Sequence, residues 1–219
     1  MVQPLDMNLD ELREALAPLL PAHAAFDGWS EAAVAMAAAQ LGVPAERARL
    51  AFPEGAVQMI DAWFDAIDQA MLRAFPAERI AALKIRERIR DLILFRLEAI
   101  APQREALRRA LAILAVPQNA PAAARLAWRS ADRIWRLAGD TVTDFNHYSK
   151  RGLLIGVYAS TSLVFLDDES AGLADTHAFL DRRIGDVMRI EQAKARWRSS
   201  GRYRPSLSRF LGRLRYPAV

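Results

Sequence analysis

Cysteine is absent from the 219 residues, which excludes disulfides and thiolate metal sites. Lysine is scarce as well: with only Lys84, Lys150 and Lys194, arginine carries nearly all of the 30 positive charges. The most apolar stretch, residues 153–166, holds Ser160, Thr161 and Ser162 and falls short of the roughly 20 apolar residues that cross a bilayer. No glycine-rich phosphate loop, His-Glu-x-x-His, Gly-x-Ser-x-Gly or Glu-x-x-His occurs, so the usual nucleotide, zinc, serine-hydrolase and di-iron chemistries have no anchor. Of three histidines, His23 and His177 stand alone, and His147 shares a helix face only with Asp144, where a metal needs three or four ligands. The chain therefore reads as a non-enzyme with no cofactor and no metal.

Apolar residues make up 53% and charged residues 26%, enough to build one core with a short appendage. Three- and four-residue apolar spacing recurs almost everywhere and alternation almost nowhere, which predicts an all-α fold. Breaks at Pro18, Pro21, residues 42–44, Pro53, Pro76, Pro102, residues 117–121, Gly139, Gly172 and Pro205 mark about ten helices. Asn8 with Glu11, and Ser30, suit helix N-caps. Ile85, Ile89, Leu92, Ile93, Leu97 and Ile100 share one face of a long helix, opposite Arg86, Glu87 and Arg90. Residues 153–166 are expected to form a buried helix in the core or at a dimer seam.

Residues 1–70 carry eleven acids against Arg13, Arg47 and Arg49, a net −8, whereas the rest of the chain is at +12. Within this acidic part, a helix from Ser30, the Gly42-Val43 turn, a short helix from Pro44 and a Phe52-Pro53 stop follow the order of a helix-turn-helix. In shape, residues 8 to about 70 resemble the headpiece of TetR-type repressors. DNA binding needs phosphates neutralised, and a headpiece at −8 cannot supply that, so no nucleic acid is expected as partner. A TetR-type, ligand-responsive transcriptional regulator is the alternative reading.

Residues 132–151, DRIWRLAGDTVTDFNHYSKR, concentrate Trp135, Phe145, His147 and Tyr148 among charges. That composition suits a protein-docking hot spot and equally a helix junction pinned by its aromatics. This run resembles the ubiquinone (coenzyme Q) biosynthesis accessory proteins, the lipid-binding TetR-like member numbered nine in that pathway. The likeness extends in order through AFPEG at 51–55, KIRERI at 84–89, RLEAIAPQREALRRALAILAVPQN at 96–119, AGDTVTDFNHYSKR at 138–151, VYASTSLVFLDDES at 157–170 and FLDRRI at 179–184. The resemblance implies an all-helical TetR-like homodimer without DNA binding. It further implies that the chain holds a lipid or isoprenoid quinone precursor and presents it to the demethoxyubiquinone hydroxylase at a membrane surface. The family's hydroxylase contact maps onto Asp144, Asn146, His147 and Tyr148, with Trp135 nearby; the family usually has tryptophan where His147 stands. A lipid inside the bundle would meet inward-facing residues such as Leu92, Ile93, Leu111, Leu114, Ile134 and Leu154.

Nine bases face a single acid, Glu191, between residues 189 and 219. In SLSRFLGRLRY, at 206–216, Leu207, Phe210, Leu211 and Leu214 share a face while Arg209 and Arg213 fall beside it. Such a segment suits an interfacial membrane helix, or alternatively a last helix docked on its own domain or dimer mate. The chain is thus divided into an acidic headpiece at 1–75, a lipid-binding and dimerisation core at 76–198 and a basic amphipathic tail at 199–219. Its 42 alanines and arginine bias point to a GC-rich bacterial genome, and its acid-bearing N-terminus lacks the bases of a targeting peptide. The expected setting is the bacterial cytoplasm, peripherally bound to the inner membrane.

Overall fold

The computed structural model describes the backbone of residues 3–139 and 145–199, and the side chains of residues 3–139 and 148–189. Among the described residues there are eleven α-helices and no strand. They are α1 (Leu9–Leu16), α2 (Leu20–Asp27), α3 (Glu31–Leu41), α4 (Ala45–Leu50), α5 (Ala56–Ala74), α6 (Ala77–Ala81), α7 (Ile85–Ile100), α8 (Arg104–Leu114), α9 (Ala120–Leu137), α10 (Phe145–Asp167) and α11 (Ala174–Ser199). Contacts divide the chain into two units, Met1–Asp181 and Arg182–Val219. In the second, Asp186 accepts hydrogen bonds or ion pairs from Arg183 and Arg189, three residues to either side.

In the first unit the caps form as the sequence predicts. The Asn8 side chain accepts the amides of Asp10 and Glu11, and Glu11 returns to the Asn8 amide at 2.8 Å. Ser30 caps α3 through the Ala33 amide. Gly42 ends α3 with φ at +78°, where a residue bearing a Cβ would be strained. The headpiece helices pack over Trp29, whose ring tilts against Trp63 of α5 at 5.3 Å and whose indole donates to the Ala106 carbonyl of α8 at 3.1 Å. Residues 1–75 therefore share one compact unit with the helices that follow.

α7 buries Ile89, Leu92, Ile93, Leu97 and Ile100, as its stripe predicts, while Ile85 at its exposed first turn does not join the core. Within one copy α10 is buried on one face only. Leu154, Val157, Thr161 and Phe165 face inward, but Gly152, Gly156, Ala159 and Leu163 are exposed on the other side. Its hydroxyls are satisfied within the helix: Thr161 donates to the Val157 carbonyl and Ser162 to that of Tyr158. Among the described residues, no helix is long and apolar enough to cross a membrane.

A charged lattice lies between the helices. Asp61, Asp65 and the buried Asp68 line one side of α5 and meet Arg125, Arg129 and Arg133 of α9. At its deepest point Arg96 of α7 pairs with Asp68, both essentially without exposure. Arg96 also donates to Ser130 Oγ of α9 at 3.1 Å and to the Tyr158 hydroxyl of α10 at 3.2 Å. Arg133 reaches the same Asp68 at 2.8 Å. Four helices thus meet on one buried ion pair.

A second buried carboxylate closes the α10–α11 corner. Asp168 accepts the Ser170 amide and hydroxyl on one oxygen and the Thr176 amide and hydroxyl on the other. Burial alone would raise its pKa, but these four hydrogen bonds outweigh that and hold it well below the usual carboxylate range.

Removing one partner of a buried pair strands the other's charge, so Arg96→Ala should cost about 3–5 kcal/mol. The double replacement Arg96→Met with Asp68→Leu should cost clearly less than the two single changes together, measured by urea denaturation. Asp168 supplies the acid-side prediction. Because its folded pKa lies below the unfolded value, its contribution is complete above the ordinary carboxylate range and is lost as pH falls from there through the depressed folded value. Asp168→Ala should therefore lower stability by about 2 kcal/mol at neutral pH. Its unfolding curve should converge with that of the parent below the carboxylate range.

Candidate functional site

The junction of α9 and α10 brings together Trp135 and Tyr148 of the chain's most distinctive run. On α9, Trp128, Asp132 and Trp135 stand four and three residues apart, which places them on one face. α10 passes along that face. The Trp135 indole donates to the Lys150 carbonyl at 3.1 Å, and the Lys150 ammonium lies 5.5 Å from the centre of the Trp135 ring. One step outward, Tyr148 rests against Trp128 with ring centroids 5.7 Å apart. Tyr148 nonetheless remains 65% exposed, so the pair is a surface feature with a fixed base.

Asp132 anchors the same face. Its two oxygens accept Arg151 Nε at 2.7 Å and Arg136 Nε at 2.6 Å. Partial burial would raise its pKa; the two guanidiniums outweigh this and lower it. The carboxylate therefore stays ionised, and the buried Arg151 locks α10 to α9 beneath the aromatic pair.

Of the residues expected to meet a partner, Trp135 is half-buried and Tyr148 exposed, and both belong to this junction. Asp144 lies outside the described residues; Asn146 and His147 fall in α10, with side chains outside them. Trp128 was not among the expected residues. The signal for it was the seven-residue spacing to Trp135, which sets both indoles on one helix face.

The six candidate lipid-lining residues come from four helices. Leu92, Ile93 and Ile134 are fully buried, Leu114 and Leu154 nearly so, and Leu111 is half-buried. A groove of about 980 Å³ lies elsewhere, along α5, with Ala62, Ala66 and Ala70 beside Asp65, Gln69 and Arg73; none of the six lines it. The tail residues Leu207, Arg209, Phe210, Leu211, Arg213 and Leu214 lie outside the described residues.

In the helix-turn-helix pair α3 and α4, both arginines of α4 are engaged within the chain. Arg47 donates to the carbonyls of Leu5 and Met7, and Arg49 pairs with Glu31 at 3.4 Å. No group of three or more His, Asp or Glu placed to hold a metal is found among the described residues.

The fold is that of the TetR class: a TetR transcriptional regulator from Nitrosomonas europaea superposes with a TM-score of 0.64 at 28% identity, over 80% of this chain and 96% of that one. Residues 120–191, which include the aromatic junction, match the COQ9 family model. The mitochondrial ubiquinone biosynthesis protein COQ9 of Rattus norvegicus is 33% identical over 80% of this chain and 58% of its own length. Its Homo sapiens counterpart is 31% identical over 83% and 58%. The chain is thus similar to proteins of the COQ9 family and spans less than two thirds of the length of these relatives.

These relatives overturn the expected bacterial cytoplasmic setting, for they are named as mitochondrial proteins. Alanine and arginine richness reflects base composition, and acids near residue 10 describe that segment alone; neither property senses a compartment.

The stacked pair supplies a prediction of its own. A double-mutant cycle on Trp128→Ala and Tyr148→Ala should give a coupling energy of about 0.5–1.5 kcal/mol in thermal or chemical unfolding.

Proposed function

We propose that the chain is a non-catalytic accessory protein of ubiquinone biosynthesis that docks the demethoxyubiquinone hydroxylase and presents a lipid or isoprenoid quinone precursor to it. The aromatic junction carries this reading: Tyr148 is open to a partner while Trp128 fixes its ring from behind. Exposed aromatics that are already ordered are the composition of a hot spot, since little side-chain freedom remains to be lost on binding. The names of the COQ9 relatives supply the pathway. The apolar residues of α7, α8, α9 and α10 named above would be the environment for a lipid, and the sequence of the basic tail suits a membrane surface.

A homodimer completes the reading. The open face of α10, with Gly152, Gly156, Ala159 and Leu163, would allow close approach of a second copy. Regulation of transcription is the second reading, favoured by the solved TetR neighbour. Against it stand the headpiece charge of −8 and the engagement of Arg47 and Arg49 within the chain.

Tyr148→Ala should weaken hydroxylase binding by about tenfold or more, since a hot-spot aromatic is worth about 2 kcal/mol, while the melting temperature falls by only about 2–4 °C. Calorimetric titration of purified hydroxylase checks this, and unchanged affinity would refute the docking surface. Deleting residues 203–219 should leave a folded protein that no longer sediments with anionic liposomes, whereas binding by the intact chain should fall with added salt. Site-specific DNA retention at low salt would promote the regulatory reading instead.

A further inference from the structure

Arg88 does not touch the aromatic junction, yet it holds the end of the helix that builds it. Its Nε donates to the Leu83 carbonyl at 2.8 Å, one terminal nitrogen to Ala138 at 2.9 Å and the other to Ala81 at 3.3 Å. Ala81 ends α6, Leu83 precedes α7 and Ala138 follows the last residue of α9. One guanidinium therefore ties the α6–α7 connection to the end of α9, and at Ala81 and Ala138 it meets carbonyls that helix C-termini leave unpaired.

Gly139 is what lets Arg88 approach. Its φ is +95°, a conformation L-residues rarely adopt, and a Cβ there would sit 3.0 Å from an Arg88 terminal nitrogen. The backbone turn and the arginine are thus fitted to each other. Ala138 follows Trp135 by three residues, within one turn of helix, and Trp135 in turn holds the first turns of α10 through the Lys150 carbonyl. Tyr148 lies on those turns.

We propose that Arg88, seated against Gly139, is a positioning residue for the docking surface: it fixes the end of α9, hence the placement of Trp135, and through Trp135 that of Tyr148. The inference rests on the docking reading above for its functional consequence, but its structural half can be measured on the chain alone.

The test uses the full chain with Arg88→Met, which keeps the aliphatic stem and removes the three donors, and Arg88→Lys, which restores a cation able to reach part of the carbonyl set. Two quantities are followed, the exchange rate of the Trp135 indole proton by NMR and the affinity for purified demethoxyubiquinone hydroxylase. Arg88→Met should speed indole exchange about tenfold and weaken hydroxylase binding about tenfold while circular dichroism remains that of the parent. Arg88→Lys should fall between the two. Unchanged indole exchange in Arg88→Met overturns the proposal whatever binding does, and so does a loss of helicity shared by both variants, which would make Arg88 a general support of the fold. Tyr148→Ala serves as the control: if it leaves affinity intact the docking reading fails, while the indole measurement still judges the positioning role.

Discussion

Four helices of the first unit meet on the ion pair of Asp68 and Arg96, because two charges withdrawn from water must find their compensation inside. Arg96 does so by reaching α5, α9 and α10 at once, through Asp68, Ser130 and Tyr158. Such a junction fixes the relative rotation of four helices in a way that an apolar core, tolerant of repacking, would not. The aspartates along α5 extend it: Asp61 and Asp65 continue the contact with Arg129 and Arg133. Part of the acidity of residues 1–70 is thus spent against arginines outside that range, and the net charge of the segment overstates the field it presents to solvent.

That limit on charge counting separates what was readable in the sequence from what was not. Caps are local, so Asn8 with Glu11 and Ser30 could be recognised without knowing the fold. The apolar stripe of α7 is local too, and its interior residues lie where spacing puts them. Arg96 was invisible for the opposite reason. It sits between Phe95 and Leu97, directly after the apolar run Leu92–Phe95 of a helix that carries six other charged residues, and its partners at Asp68, Ser130 and Tyr158 come from three other helices. For α10, apolar content alone did not separate burial in the core from burial at a dimer seam, and within one copy only one face is buried. Small residues such as Gly152 and Gly156 contribute little side-chain area, so leaving them exposed costs little. The lipid candidates raise a related difficulty: Leu92 and Ile134 are completely buried, and a core residue and a pocket residue obey the same periodicity.

The helix-turn-helix illustrates how one shape can serve different ends. The geometry of α3, Gly42 and α4 is that of a DNA-reading module, but reading DNA requires cations that point away from the protein. Here Arg47 is turned to the carbonyls of Leu5 and Met7, and Arg13 adds a hydrogen bond to Ala51 at the end of α4. The cations that would face phosphate instead satisfy backbone oxygens, and α4 becomes the piece that secures the N-terminal segment to the headpiece.

The aromatic junction works by the opposite principle, keeping groups exposed that burial would favour. Leaving Tyr148 mostly in water forgoes part of its hydrophobic gain, and the stack on Trp128 recovers only some of it. The loss is limited because its support is paid for elsewhere: Arg151 and Asp132 fasten α10 to α9, Trp135 bonds the Lys150 carbonyl and Arg88 holds the end of α9. A ring held in this way would meet a partner with its conformational entropy already surrendered, so that more of the contact free energy would appear as affinity. The rigidity of the layer beneath, more than the composition of the layer above, is what makes this patch suited to recognition.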